Sequence, residues 1–167
     1  AVLSKNGFYV SNDAGQTWER KLEENVTDVT INPQDPREYL LGINGKGIYY
    51  TGDQGDNWNV RNNGISGSVR RVSVQMAPSN PDICYCLLEG NSNLGVIYKS
   101  TNRGGSWSVS RPANQDFFGD NFQGFYDNYI MINPENPDQV FAGGIDLWRT
   151  MNGGSSWSNA SINSQTG

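Results

Sequence analysis

An all-β fold of repeated four-stranded sheets is predicted for this 167-residue sequence by three observations. An octad ending in tryptophan occurs four times without gaps: Ser11-Asn-Asp-Ala-Gly-Gln-Thr-Trp18, Thr51-Gly-Asp-Gln-Gly-Asp-Asn-Trp58, Ser100-Thr-Asn-Arg-Gly-Gly-Ser-Trp107 and Thr150-Met-Asn-Gly-Gly-Ser-Ser-Trp157. A proline-rich element precedes three of them in phase, at Asn32-Pro-Gln-Asp-Pro36, Ala77-Pro-Ser-Asn-Pro81 and Asn133-Pro-Glu-Asn-Pro137. The composition joins 20 glycines to 11% aromatic residues, the mixture of many turns and bulky strand residues. Self-similarity at a fixed period of 40 to 50 residues marks a repeat architecture, and the octad tryptophans stand 40, 49 and 50 residues apart.

Each period divides in the same order. An alternating run opens it, Val26 to Ile31, Val69 to Gln75 or Tyr129 to Ile132. The proline-rich turn follows, and its prolines are expected outside any central strand because they lack a ladder donor. A second run, Tyr39 to Ile43, Ile83 to Leu88 or Val140 to Gly143, leads to a glycine-led third strand such as Gly47–Thr51 or Gly95–Ser100. The octad then turns the chain, and its tryptophan opens a short polar fourth strand. Four strands in this length make one blade of a β-propeller. No run sustains a 3.6-residue period, so almost no helix is expected.

The division that follows is a partial blade over residues 1–25, blades over 26–65 and 66–111, and a blade over 112–167 that carries an aromatic inter-blade connection. In the partial blade, Gly7–Val10 and the octad correspond to strands three and four alone. That is three complete blades and a hairpin of another, whereas closed propellers use four to eight. The chain is therefore expected to be part of a larger propeller, its ring completed by further blades of the same chain or of another copy. With no leader-like segment, it reads as a mature or partial chain.

The octad chemistry explains the turn. The acceptors Asp13, Asp53, Asn102 and Asn152 can bond backbone N–H groups two residues on. Gly15, Gly55, Gly104 and Gly154 suit a positive φ. The hydroxyls of Ser11, Thr51, Ser100 and Thr150 can tie the adjoining strands. Trp18, Trp58, Trp107 and Trp157 each have a large ring to bury between neighbouring sheets.

Charge and cysteine usage exclude several functions. The net charge of −5 argues against nucleic acid as a partner. The five cations of residues 66–111, Arg70, Arg71, Lys99, Arg103 and Arg111, read as a solvated surface with a mild basic patch as the alternative. Cys84 and Cys86 lie two apart in an apolar run, on one face of a strand, where they suit two small buried hydrophobes better than a disulfide. With no histidine, nothing resembles a zinc site. Asp13 and Asp53 offer too few carboxylates for a dedicated calcium site, so no metal or cofactor is implied. No stretch reaches the roughly 20 apolar residues of a membrane span.

The four octads resemble the Asp-box, or bacterial neuraminidase repeat, of sialidases, xyloglucanases, sortilin-type receptors and many secreted bacterial proteins. Asp13 and Asp53 keep that family's Asp; Asn102 and Asn152 keep the acceptor without the charge. The stretches Gln123-Gly-Phe-Tyr-Asp127 and Ile145-Asp-Leu-Trp-Arg-Thr150 look like repeats of large surface or secreted proteins of Bacteroidetes, many with a sorting domain for type IX secretion. The resemblance implies a secreted or cell-surface location, and octads set at blade-edge turns away from the ligand face.

Two function classes stay open. The first is a non-catalytic binding or scaffolding module that meets a glycan or a protein surface. The second is a fragment of a glycoside hydrolase, xyloglucanase-like or sialidase-like, acting on polysaccharide. Glycoside hydrolysis usually needs two carboxylates roughly 5 to 9.5 Å apart. Asp116, Asp120 and Asp127 share one aromatic region, yet no acid–base pair is marked, and no catalytic residue is assigned. A sialidase-like site would also need an arginine cluster, and residues 112–167 hold one base, Arg149. The candidate ligand-binding residues are Phe117, Phe118, Asp120, Phe122, Phe125 and Tyr126, whose rings could stack on sugars or protein side chains. The same rings could instead plug the channel or pack on an adjacent blade.

Overall fold

The computed structural model of the chain describes residues 1–90, 95–111, 117–118 and 123–161. Among these, four antiparallel meanders follow one another. The first sheet has three strands, β1 (Val2–Ser4), β2 (Gly7–Val10) and β3 (Glu19–Leu22). The second holds β4 (Val26–Ile31), β5 (Tyr39–Ile43), β6 (Gly47–Thr51) and β7 (Asn59–Val60). The third holds β8 (Val72–Ala77), β9 (Asn80–Glu89), β10 (Gly95–Ser100) and β11 (Ser108–Arg111). A single helical turn, α1 (Gly124–Asp127), precedes the fourth sheet of β12 (Tyr129–Ile132), β13 (Val140–Gly143), β14 (Leu147–Thr150) and β15 (Ser158–Asn159).

Two expectations change. The first sheet is more than a hairpin, because Val2–Ser4 pairs with Gly7–Val10 and supplies the equivalent of a second strand. Three residues carry no readable periodicity, so the sequence pattern does not mark this strand. The second change concerns Pro81, which lies inside β9. Asn32 and Asn133 each accept a hydrogen bond from the backbone two residues on, which shapes a wide turn. Ala77 has no such acceptor, and the chain reverses tightly so that Ala77 faces Asn80. Strand β10 pairs with β9 only from Cys84 onward, so the missing N–H of Pro81 removes no bond on that side.

The sheets stack face to face in chain order, β1 against β4, β4 and β5 against β8, and β8 and β9 against β12. Strand alternation divides the buried side chains into three apolar slabs. Along β9, Cys84, Cys86 and Leu88 point to the slab shared with the second sheet, and Tyr85 and Leu87 to the slab shared with the fourth. Phe8, Tyr39 and Leu41 fill the slab between the first two sheets. Both cysteines are buried and free, and burial pushes the Cys84 thiol up to about 12.

Polar side chains of β4 and β8 also reach the next sheet or the residue leading into it. Thr27 donates to the Val72 carbonyl at 2.8 Å, and the amides of Val74 and Met76 donate to Asp28 and Thr30 at 2.9 and 3.2 Å. At the next junction Ser73 donates to the Asn128 carbonyl at 2.7 Å, and the Ile132 amide donates to Gln75 at 2.5 Å. Desolvation raises the Asp28 carboxyl above its ordinary value, opposed by the amides of Val74 and Val29.

Candidate functional site: the connection end of the sheets

An antiparallel meander places successive turns at alternate ends. The proline-rich turns and the octads therefore share one end of the sheets. The β1–β2, β5–β6 and β13–β14 turns share the other end with the connections from the first sheet to the second and from the second to the third.

At the first end the octads use up their own polar groups. The hydroxyls of Ser11, Thr51, Ser100 and Thr150 donate to the third-position Asp or Asn at 2.6–2.9 Å. Each also accepts from the octad glycine amide at 2.7–3.0 Å. The third residue accepts from the amide four residues on at 2.8–3.0 Å, where the sequence pattern suggested two. The amide two residues on from the leading hydroxyl, that of the Asp or Asn, goes to the hydroxyl instead. Positive φ extends one residue earlier than glycine alone implies, to Ala14, Gln54 and Arg103. Hydrogen bonds from Thr17 chiefly, with Ser11, hold the Asp13 carboxyl at about 2, and those from Thr51 and Asn57 do the same for Asp53.

The octad and the proline-rich turn are tied to each other, which accounts for their recurrence in phase. The amides of Gln54, Arg103 and Gly153 donate to the carbonyls of Arg37, Asp82 and Asp138, each at 2.9 Å. The Arg103 guanidinium joins two sheets here, binding both oxygens of Glu38 at 2.9 and 3.1 Å and Asp82 at 3.0 Å. Three octad tryptophans also reach backwards across a junction. Trp58 donates to the Lys21 carbonyl, Trp107 to the Arg61 carbonyl and Trp157 to Ser110, at 3.1, 2.8 and 3.2 Å.

The connection end holds a cleft of about 550 Å³ between the first, second and third sheets. Lys5 comes from the β1–β2 turn, Asn25 from the connection into β4, and Asn44 from the β5–β6 turn. Arg70 and Arg71 lead into β8, Glu89 ends β9, and Phe125 approaches from α1. Backbone bonds fix the rim: Arg70 donates to the Glu89 carbonyl at 2.8 Å, Glu89 to that of Arg71 at 2.9 Å, and Gly45 to that of Arg70 at 3.1 Å. Arg71 Nη1 donates to the Phe125 carbonyl at 2.5 Å and pins that residue over the cleft.

The six ligand-binding candidates separate. Phe117 and Phe118 are buried in the slab between the third and fourth sheets, so the packing alternative describes them. Phe117 also lies against the buried Arg111 guanidinium, which stacks on Trp148 at 4.1 Å. Phe125 and Tyr126 are 59% and 54% exposed and meet edge to face at 4.4 Å. Asp120 and Phe122 lie outside the described residues. The five cations of residues 66–111 do not form one patch. Arg103 is engaged at the octad end, Arg111 is buried and Lys99 donates to the Gly153 carbonyl, leaving Arg70 and Arg71 together at the cleft. Sequence reasoning missed the cleft; its one signal was the Arg70–Arg71 pair in a connection between sheets. Among the described residues, no group of three or more His, Cys, Asp or Glu side chains is placed to hold a metal ion. No helix among them is long and apolar enough to cross a membrane.

Residues 6–118 match the Sortilin-Vps10 family model, described as sortilin, neurotensin receptor 3. The chain belongs to the Sortilin-Vps10 family. A search of curated proteins finds no match. Among solved structures, this Sortilin-Vps10 chain is similar to an ancestral GH74 enzyme, at 18% identity and a TM-score of 0.73, over 92% of its own length and 21% of the enzyme's. It is similar to the GH74 xyloglucanase from Xanthomonas campestris at 16% identity and a TM-score of 0.66, over 91% of this chain and 25% of that one. With YCF48 from Cyanidioschyzon merolae the figures are 16% and 0.54, over 81% and 39%. At these identities the likeness is one of fold, and it marks the sheets of this Sortilin-Vps10 chain as propeller blades. The chain spans between a fifth and two fifths of those structures.

Proposed function

We propose that the chain is a non-catalytic binding or scaffolding propeller module of a secreted or cell-surface protein, and that its octads are Asp-boxes. The observation that carries this reading is the contrast between the two ends. Octad polar groups are spent on one another, whereas the connection end presents a cleft edged by charged and amide side chains with two exposed rings beside it. Glu89 is the one carboxylate among the described residues lining the cleft, which favours binding over hydrolysis by paired carboxylates.

The test is an array of neutral and acidic oligosaccharides probed with the purified chain, each captured sugar then assayed for new reducing ends. Capture without cleavage, lost when Phe125→Ala and Tyr126→Ala are combined, is expected. Cleavage of a captured sugar overturns the reading in favour of a hydrolase fragment. Loss of capture on substitution at the octad end, with the double variant unaffected, overturns the choice of face.

A further inference from the structure

The cleft supports a narrower inference that rests on the binding reading. Among the described residues, Lys5, Arg70 and Arg71 stand round it against the single carboxylate Glu89, a local positive excess in a chain of net charge −5. Arg70 differs from the arginines at the other end. Arg37 is held by Asp35 at 2.7 and 2.9 Å, and Arg103 by Glu38 and Asp82 at 2.9–3.1 Å. The nearest ion-pair partner of Arg70 among the described residues is Glu89, at 4.0 Å, beyond hydrogen-bond reach. The Arg70 side chain is 49% exposed and that of Glu89 only 3%. A guanidinium fork so placed matches a carboxylate geometrically.

The rest of the lining decides what carries that carboxylate. The rim amides of Asn44, Gly45, Arg70 and Glu89 all donate to backbone carbonyls. A peptide adding itself as a strand finds these four amides already engaged. Side-chain groups remain: the amides of Asn25 and Asn44, and the ring of Phe125, whose main-chain carbonyl Arg71 holds. Amides that bond hydroxyls, with one aromatic face for an apolar ring surface, suit a pyranose better than an extended chain.

We propose that this cleft binds a carboxylate-bearing sugar, a hexuronate unit of an acidic glycan. Arg70 and Lys5 take the carboxylate, Asn25 and Asn44 take hydroxyls, and Phe125 covers one face of the ring.

Titration calorimetry at low salt tests it with four probes: trigalacturonate, its methyl ester, a neutral xylotriose and a hexaglutamate peptide. Trigalacturonate is expected to bind, at least about tenfold more tightly than its ester, because the ester keeps the ring and loses the charge. Arg70→Gln and Lys5→Gln should each weaken it, the former by about tenfold or more, with thermal midpoints unchanged. Arg37→Gln, at the opposite end, should leave it unaltered. Absence of trigalacturonate binding, equal affinity for the ester, indifference to Arg70→Gln, or tighter binding of hexaglutamate each overturns the proposal. Xylotriose binding that depends on Phe125 and ignores both charge variants sinks the acidic sugar alone and leaves the binding face standing. Trigalacturonate binding abolished only by Arg37→Gln sinks both.

Discussion

The hydroxyl that opens each octad is donor and acceptor at once, giving its proton to the third residue and receiving two amides. An alanine there would strand three groups, whereas Ser and Thr interchange freely. The third position is equally tolerant between Asp and Asn. Asp13 accepts from the Thr17 hydroxyl, while Asn102 and Asn152 donate to the Ser106 and Ser156 hydroxyls at 3.0 and 2.9 Å. The charged version has a pH consequence. Asp13 and Asp53 are held at about 2 in the folded chain, below an unfolded value near 3.9. Their contribution is therefore complete above about pH 4 and is lost as pH falls through about 2. Stability should decline between pH 4 and pH 2, and Asp13→Asn with Asp53→Asn should flatten that decline in urea titrations at stepped pH. Asp35, held at about 2 by Arg37, leaves a residual slope. An unchanged pH profile in the double variant would show that the turn carboxylates are not the acid-sensitive groups.

At the scale of the element, four octads alike in sequence are unlike in energy. Trp107 is 5% exposed and gives its indole N–H to the preceding sheet, while Trp18 is 46% exposed. Truncation of Trp107 to alanine should cost about 3–5 kcal/mol, the usual loss for a buried indole. Truncation of Trp18 should cost well under half of that, since much of the ring already meets water. Urea midpoints of the two variants check the ordering, and equal losses would contradict the junction role. A second contrast lies in the inner strands. Asp28 and Thr30 in β4, then Ser73 and Gln75 in β8, bridge to the next sheet or the residue leading into it, but their counterparts in β12 are Tyr129 and Met131, both exposed. The β12 face is thus apolar where the other two are hydrogen-bonded.

Over the whole molecule, stability resides in the junctions, because three slabs of core lie between sheets. The Arg103 side chain crosses one junction on the octad end and is 39% exposed. Solvent screening limits such a pair, so Arg103→Ala should cost about 1 kcal/mol, shrinking in high salt. Arg37→Ala should cost less, since its partner Asp35 lies in the same turn. Chemical denaturation at low and high NaCl separates them. A salt-independent loss for Arg103→Ala would assign its role to packing of the aliphatic stem instead of charge.

Turns, repeat and blade order were legible in the sequence because each octad closes its hydrogen bonds within eight residues. A pattern that short survives whatever packs around it. The tie between octad and proline-rich turn was legible only as a shared phase, and the bond itself appears when β5 and β6 or their counterparts pair. Tertiary structure alone separated Phe117 and Phe118 from Phe125 and Tyr126. All four stand in one aromatic run, and spacing along a connection carries no information about depth beneath a neighbouring sheet. The cleft was invisible for a related reason. Its lining comes from separate turns and connections of three sheets, as far apart as Lys5 and Phe125, brought to one end by the alternation of antiparallel turns.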